Sequence, residues 1–149
     1  MGLNETLIKI YDRDILKLRE EVEKYGDEAD LWKKHGDLPN SGGTLALHLC
    51  GNLRHFIGAI LGKSGYVRDR DAEFAMQNVP RDAILSAIDE TREVVTATLA
   101  KLAIDDLAKT YPIEALGYPM TTEYFLVHLA SHLSYHLGQI NYHRRSLGS

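Results

Sequence analysis

The sequence predicts an all-α fold, a four-helix bundle with long connections. Three observations predict it. Four stretches repeat apolar residues at three- and four-residue steps. No stretch alternates apolar and polar residues as a half-buried strand does. The connections between the four are where proline and glycine collect. A chain of 149 residues is the length of one domain with a proper core, so residues 1–149 are expected to form a single domain.

Asn4 can cap a first helix beginning at Glu5, along which Leu7, Tyr11, Ile15, Leu18, Val22 and Tyr25 recur up to Gly26. Its other face, with Lys9, Asp12, Arg13, Lys17 and Glu20, is a solvated charged surface. Over residues 27–43 Trp32 is the main apolar anchor, and residues 38–43 form a loop. The second helix buries Leu45, Leu49, Leu53, Phe56, Ile57 and Ile60 and stops near Gly62. His48 lies at the edge of that stripe, with Asn52 and His55 about 40° and 20° to either side. Residues 63–78 lack periodicity and read as a long connection with room for a short turn of helix. Pro80 suits the first turn of a third helix that carries Ile84, Ile88, Val95, Leu99 and Leu102 and runs to about Leu107. Residues 111–120 are a second connection, and the fourth helix runs from Thr121 or Thr122, a cap, to about Arg145.

Composition removes several function classes. With a formal charge of −4 and a pI near 5.9, the chain lacks the basic excess of a nucleic-acid binder. No apolar run is long enough to cross a bilayer, so no membrane partner is expected. One cysteine, Cys50, excludes an intrachain disulfide, and without a charged-then-apolar leader the expected setting is the cytoplasm. Gly62-Lys63-Ser64 lacks the earlier glycine of a phosphate loop and follows a helix, so it is not one.

The fourth helix holds four of the seven histidines, and His128, His132 and His136 recur every four residues. Neighbours in that series lie about 40° apart, one turn above the other, so a pair can grip one metal ion. Phe125, Leu129 and Ile140 fall about 20°, 60° and 80° round the helix from His132, so the histidines share the side facing the core. Buried imidazoles need a partner for each ring nitrogen. A metal ion is one such partner; hydrogen bonds or water at the core edge are another, and the spacing alone leaves both open. His128 and His136 are about 12 Å apart along the axis, too far to share an ion. A third ligand has to come from another element.

Residues 45–52, centred on His48, followed by His132-Leu-Ser-Tyr-His136-Leu-Gly138-Gln139, resemble the DinB/YfiT-like family of metal-binding four-helix bundles. Helix order and length agree, so the resemblance covers almost the whole chain. It implies that His48, His132 and His136 hold a divalent metal ion, the Gly-Gln after His136 selecting the second histidine pair. His128 and His143 then line the same seam, and Asn52, His55 and Gln139 are expected to support the site by hydrogen bonding. Three neutral imidazoles leave the ion open positions for water or an incoming thiolate. All-nitrogen ligation suits zinc, nickel, iron or copper, with zinc or nickel expected here.

The family includes enzymes that act with low-molecular-weight thiols such as bacillithiol or mycothiol. The resemblance therefore implies a metal-dependent transferase taking a small-molecule thiol and an electrophilic substrate. A noncatalytic metal-binding stress-response protein is the alternative, and a small-ligand binding module without metal a third reading. Arg54, Arg144 and Arg145 are candidate contacts for an anionic cosubstrate, although basic residues at a helix C-terminus also complement its dipole. Cys50 lies about 160° round its helix from His48 and reads as a packing residue. Gly138, about 120° from the ligand face, suggests close packing against another helix or subunit. A homodimer is the expected assembly.

Overall fold

The protein is described by a computed structural model covering residues 2–149. Its helices are α1 (Leu3–Lys24), α2 (Gly42–Leu53), α3 (Arg70–Ala75), α4 (Arg81–Lys101), α5 (Ile104–Ala108) and α6 (Thr122–Ser146), with a 3₁₀ turn at Glu28–Trp32. Four of them, α1, α2, α4 and α6, make a bundle around one apolar cluster that includes Tyr11, Leu18, Leu49, Ile57, Ile88, Phe125 and Leu133. Among the described residues there is no strand. A lone bridge between Thr110 and Thr121 closes the connection before α6.

Helix α2 sits at the centre, and every one of its residues is buried. Ser41 starts it by accepting from Thr44 N at 3.2 Å. Its glycines admit neighbours that a larger residue would exclude: a Cβ at Gly43 would meet the Trp32 ring at 2.9 Å. Past Leu53 the backbone widens into a π-helical stretch, Arg54–Leu61, which Gly62 closes by donating to Ile57 O at 2.9 Å. Tyr111 donates to Phe56 O at 2.5 Å, bonding a carbonyl of that stretch.

Two boundaries differ from the sequence expectation for reasons of capping. Asn4 lies inside α1, not before it; its side chain donates to Leu102 O at 3.3 Å and ties α1 to the end of α4. The third expected helix ends at Lys101, and a separate α5 follows because Asp106 reaches back to accept from Ala103 N at 2.9 Å. The turn of helix for which residues 63–78 left room is α3, started by Asp69, which accepts from Ala72 N at 3.0 Å. Thr121 caps α6 by accepting from Tyr124 N at 3.1 Å.

Candidate metal centre

Helix α2 carries His48 and helix α6 carries His132 and His136 to one point. The Nε2 atom of His132 lies 3.3 Å from His48 Nε2 and 3.1 Å from His136 Nε2. One nitrogen from each of the three rings falls within 4.8 Å of the others. His48 is buried and the other two are half-buried.

The outer nitrogens decide what the inner ones are. His136 Nδ1 is 2.7 Å from the Gln139 side-chain oxygen, and His48 Nδ1 is 3.2 Å from the Glu73 carboxylate. Both acceptors take an Nδ1–H, which leaves both inner Nε2 atoms as lone pairs aimed at His132. A lone pair facing a lone pair is repulsive, and one Nε2–H on His132 does not satisfy two such neighbours with good geometry. A cation among the three nitrogens removes the conflict. Tetrahedral coordination with metal–nitrogen bonds of about 2.0–2.1 Å separates the nitrogens by about 3.3 Å, close to the spacings here. His132 Nδ1, on the far side of the ring from the triad centre, is buried without a partner in the protein. The three residues fit a divalent ion.

Electrostatics agree. Burial, with the nearby His136 and His48 rings, pushes His132 down to about 4, and burial lowers His136 as well. Both rings therefore stay neutral near pH 7, the form that binds metal.

Glu73 is the residue that the sequence reading missed. It arrives on α3, within the connection that lacks periodicity, and is itself buried. Arg68 clasps its carboxylate at 2.8 and 2.9 Å. Burial pushes the Glu73 carboxyl up, but the hydrogen bonds from His48 and Arg68 outweigh it and hold the group below its ordinary value. Gly51 makes the room: a Cβ there would overlap the Glu73 carboxylate.

Of the residues expected to support the site, Gln139 makes the expected hydrogen bond to a triad ring. Asn52 does not: both His48 nitrogens are engaged elsewhere, and Asn52 Oδ1 has no partner in the protein. His55 is two turns on from His48, about 10.5 Å along the helix, and packs against Phe56. His128 stacks flat on Phe125 and lines a cavity of about 460 Å³ that opens from the triad.

His143 stands apart from the seam, with Tyr25 Oη 2.6 Å from its Nδ1 and Lys33 O 2.5 Å from its Nε2. It is a buried structural residue. Of the arginines named as anion contacts, Arg54 and Arg144 have carboxylate partners in the protein. Arg54 lies 3.3 Å from Glu90 and over the Tyr66 ring, and Arg144 is bound to Glu21. Arg145 lies over the exposed Tyr142 ring. The arginines lining the cavity are Arg68 and Arg70. Cys50 is fully buried and its thiol is pushed up to about 11, mainly by that burial, which makes it a packing residue. A Cβ on Gly138 would meet nothing within 4 Å, so no close packing inside the chain explains that glycine.

This fold and its histidine cluster are those of a DinB-like bundle. Residues 9–149 match the family described as protein of unknown function DUF1572, a DinB-like family, and the chain belongs to it. Among solved structures it is similar to a DinB-like protein from Bacillus cereus, at 17% identity over 97% of this chain and 92% of that one, with a TM-score of 0.74. It is likewise similar to YfiT from Bacillus subtilis, described as a probable metal-dependent hydrolase with an unusual four-helix bundle topology. That match has 17% identity over 99% of this chain and 90% of that one, with a TM-score of 0.76. No curated protein matches the sequence. No helix among the described residues is long and apolar enough to cross a membrane.

Proposed function

We propose that the protein is a metal-dependent transferase that activates a low-molecular-weight thiol for attack on an electrophile in the cytoplasm, with zinc or nickel held by His48, His132 and His136. When bound, the ion supplies positive charge that favours the ionised form of a thiol. The observation that carries the reading is the cavity lining. It holds no acidic side chain among the described residues, but it does hold Arg68, Arg70 and four histidines. Glu73 neutralises Arg68, which leaves Arg70 as the unpaired charge on these walls and gives them a net positive character that suits an anion. They also lack a free carboxylate to act as base for water: Glu73 is committed to Arg68 and to the outer nitrogen of His48, away from the triad centre. A thiol ionised on arrival needs no such base. Metal-dependent hydrolysis, the probable activity in the description of YfiT, is the second reading and predicts turnover without thiol.

The test is a titration of cobalt-substituted protein with bacillithiol and glutathione, using metal-free protein and His48→Ala as controls. A new sulfur-to-cobalt charge-transfer band confined to the loaded wild type is expected. A spectrum unmoved by millimolar thiol rejects the transferase reading.

A homodimer belongs to the same proposal. Tyr124, Val127, Ser131, Tyr135, Gly138 and Tyr142 form an exposed, uncharged stripe about 80° wide on α6. Sedimentation velocity should give twice the mass of the chain; a monomer at micromolar concentration removes this element.

A further inference from the structure

A second, smaller cavity of about 260 Å³ lies beside Gln139, between residues 35–40 and the last turns of α6. Leu45 and His143, both buried, make its floor, and Leu38, Pro39 and Tyr142 stand at its rim. Among the described residues it is lined by no aspartate, glutamate, lysine or arginine. The groove between α1 and α4 shows the contrast, with Asp12, Asp89, Arg92 and Glu93 along it. A single exposed apolar side chain is ordinary on a protein surface. Here Leu38 and Tyr142 leave 47% and 74% of their surface in water around one uncharged hollow, and an apolar occupant would remove that exposure. The groove also adjoins the triad. Asn40 and Leu45 line both this groove and the larger cavity, and Gln139 holds the outer nitrogen of His136 at 2.7 Å. With an ion about 2 Å beyond the inner nitrogen, the Gln139 wall is on the order of 7 Å from it.

We infer that this groove is the subsite for an uncharged aromatic ring on the electrophile, joined past Asn40 by a short spacer to the group that reacts at the triad. This rests on the reading above of a metal centre that works on an electrophile, and it names the class of that electrophile. The size agrees. An apolar cavity of about 150 Å³ takes a benzene ring, so this one has room for a ring and a few spacer atoms. A three-carbon spacer spans roughly 4 Å, enough to bring a ring beside Gln139 from a head group on the ion. The absence of charged walls disfavours an ionic group, and Pro39 and Tyr142 offer flat faces to a ring. A ring also has fewer internal rotations to lose on binding than an alkyl chain of the same carbon count, which matters in so small a site.

The test has two arms. In the first, 3-phenylpropanol is titrated into methyl-labelled wild type with and without zinc. The Leu38 methyl resonances should shift saturably, while those of Leu116 and Leu129, which line only the larger cavity, stay in place. Shifts at Leu116 and Leu129 with none at Leu38 put the ring in the larger cavity and overturn the inference, as does no shift at all. In the second, acetohydroxamate and 4-phenylbutyrohydroxamate, which share a zinc-binding head, are titrated calorimetrically into zinc-loaded wild type and Leu38→Asp, with zinc content measured on every sample. The phenyl compound should bind wild type about tenfold more tightly, the effect of burying most of one ring, and its advantage should fall below about threefold in Leu38→Asp. Equal affinities in wild type, or an advantage that Leu38→Asp leaves intact, overturn the inference. Both arms succeeding while thiols leave the cobalt spectrum unmoved keeps the ring subsite and rejects the transferase. A protein that takes up no zinc overturns the link to the triad, whatever the first arm shows.

Discussion

His48 and His136 each give their outer nitrogen to a side-chain oxygen, and that choice makes the three inner nitrogens a ligand set instead of a hydrogen-bonded cluster. Glu73 should therefore control metal affinity through His48. Glu73→Gln keeps an acceptor but loses the charge and the Arg68 clasp, and should weaken zinc binding by about 10–100-fold in a competition titration. The His48 nitrogen chemical shifts in metal-free protein should then show a smaller share of the Nδ1–H form, because a neutral amide oxygen accepts more weakly than a carboxylate. Unchanged affinity and tautomer would leave Glu73 a fold residue only. Gln139 was legible from sequence because it is three residues from His136 on the same helix, where spacing fixes direction. Glu73 was not, since its position depends on an aperiodic connection folding over α2 at Gly51, and no local pattern encodes that. His143 misled for the opposite reason. It lies on the right helix at a plausible angle, but Tyr25 and Lys33, distant in sequence, take both its nitrogens.

Helices α1 and α6 are joined by a buried polar clamp, with Glu21 accepting from Arg144 at 2.7 Å and from Asn141 at 2.8 Å. Burial raises the Glu21 carboxyl, but these two partners outweigh it and leave it below its ordinary value. A carboxyl depressed in the folded state adds stability above its unfolded value of about 4.3 and loses it as pH falls through the lower folded value. Between pH 6 and pH 3 the urea midpoint of the wild type should fall further than that of Glu21→Gln; equal slopes would show that the clamp contributes nothing. The four bundle helices were readable because apolar residues at three- and four-residue steps are a property of the helix itself. Their ends were less so. Asn4 resembles a cap but serves α4, and the break after Lys101 depends on one Asp106 side chain. The π stretch after α2 leaves no mark in composition or period.

Across the whole molecule, α2 and α6 supply the three rings, α3 supplies the brace behind His48, and the connection before α6 closes the apolar end of the cavity with Leu116. The bundle thus holds the open side of the triad against a pocket free of acidic side chains. The proposed chemistry depends on an ion being held there. The most direct measurement is elemental analysis of untagged protein after reconstitution, run on wild type and on His132→Ala, His136→Ala and His128→Ala. One divalent ion per chain is expected in wild type and in His128→Ala, and none in the other two. A wild type that takes up no metal, or a His136→Ala that keeps it while His128→Ala loses it, would contradict the account.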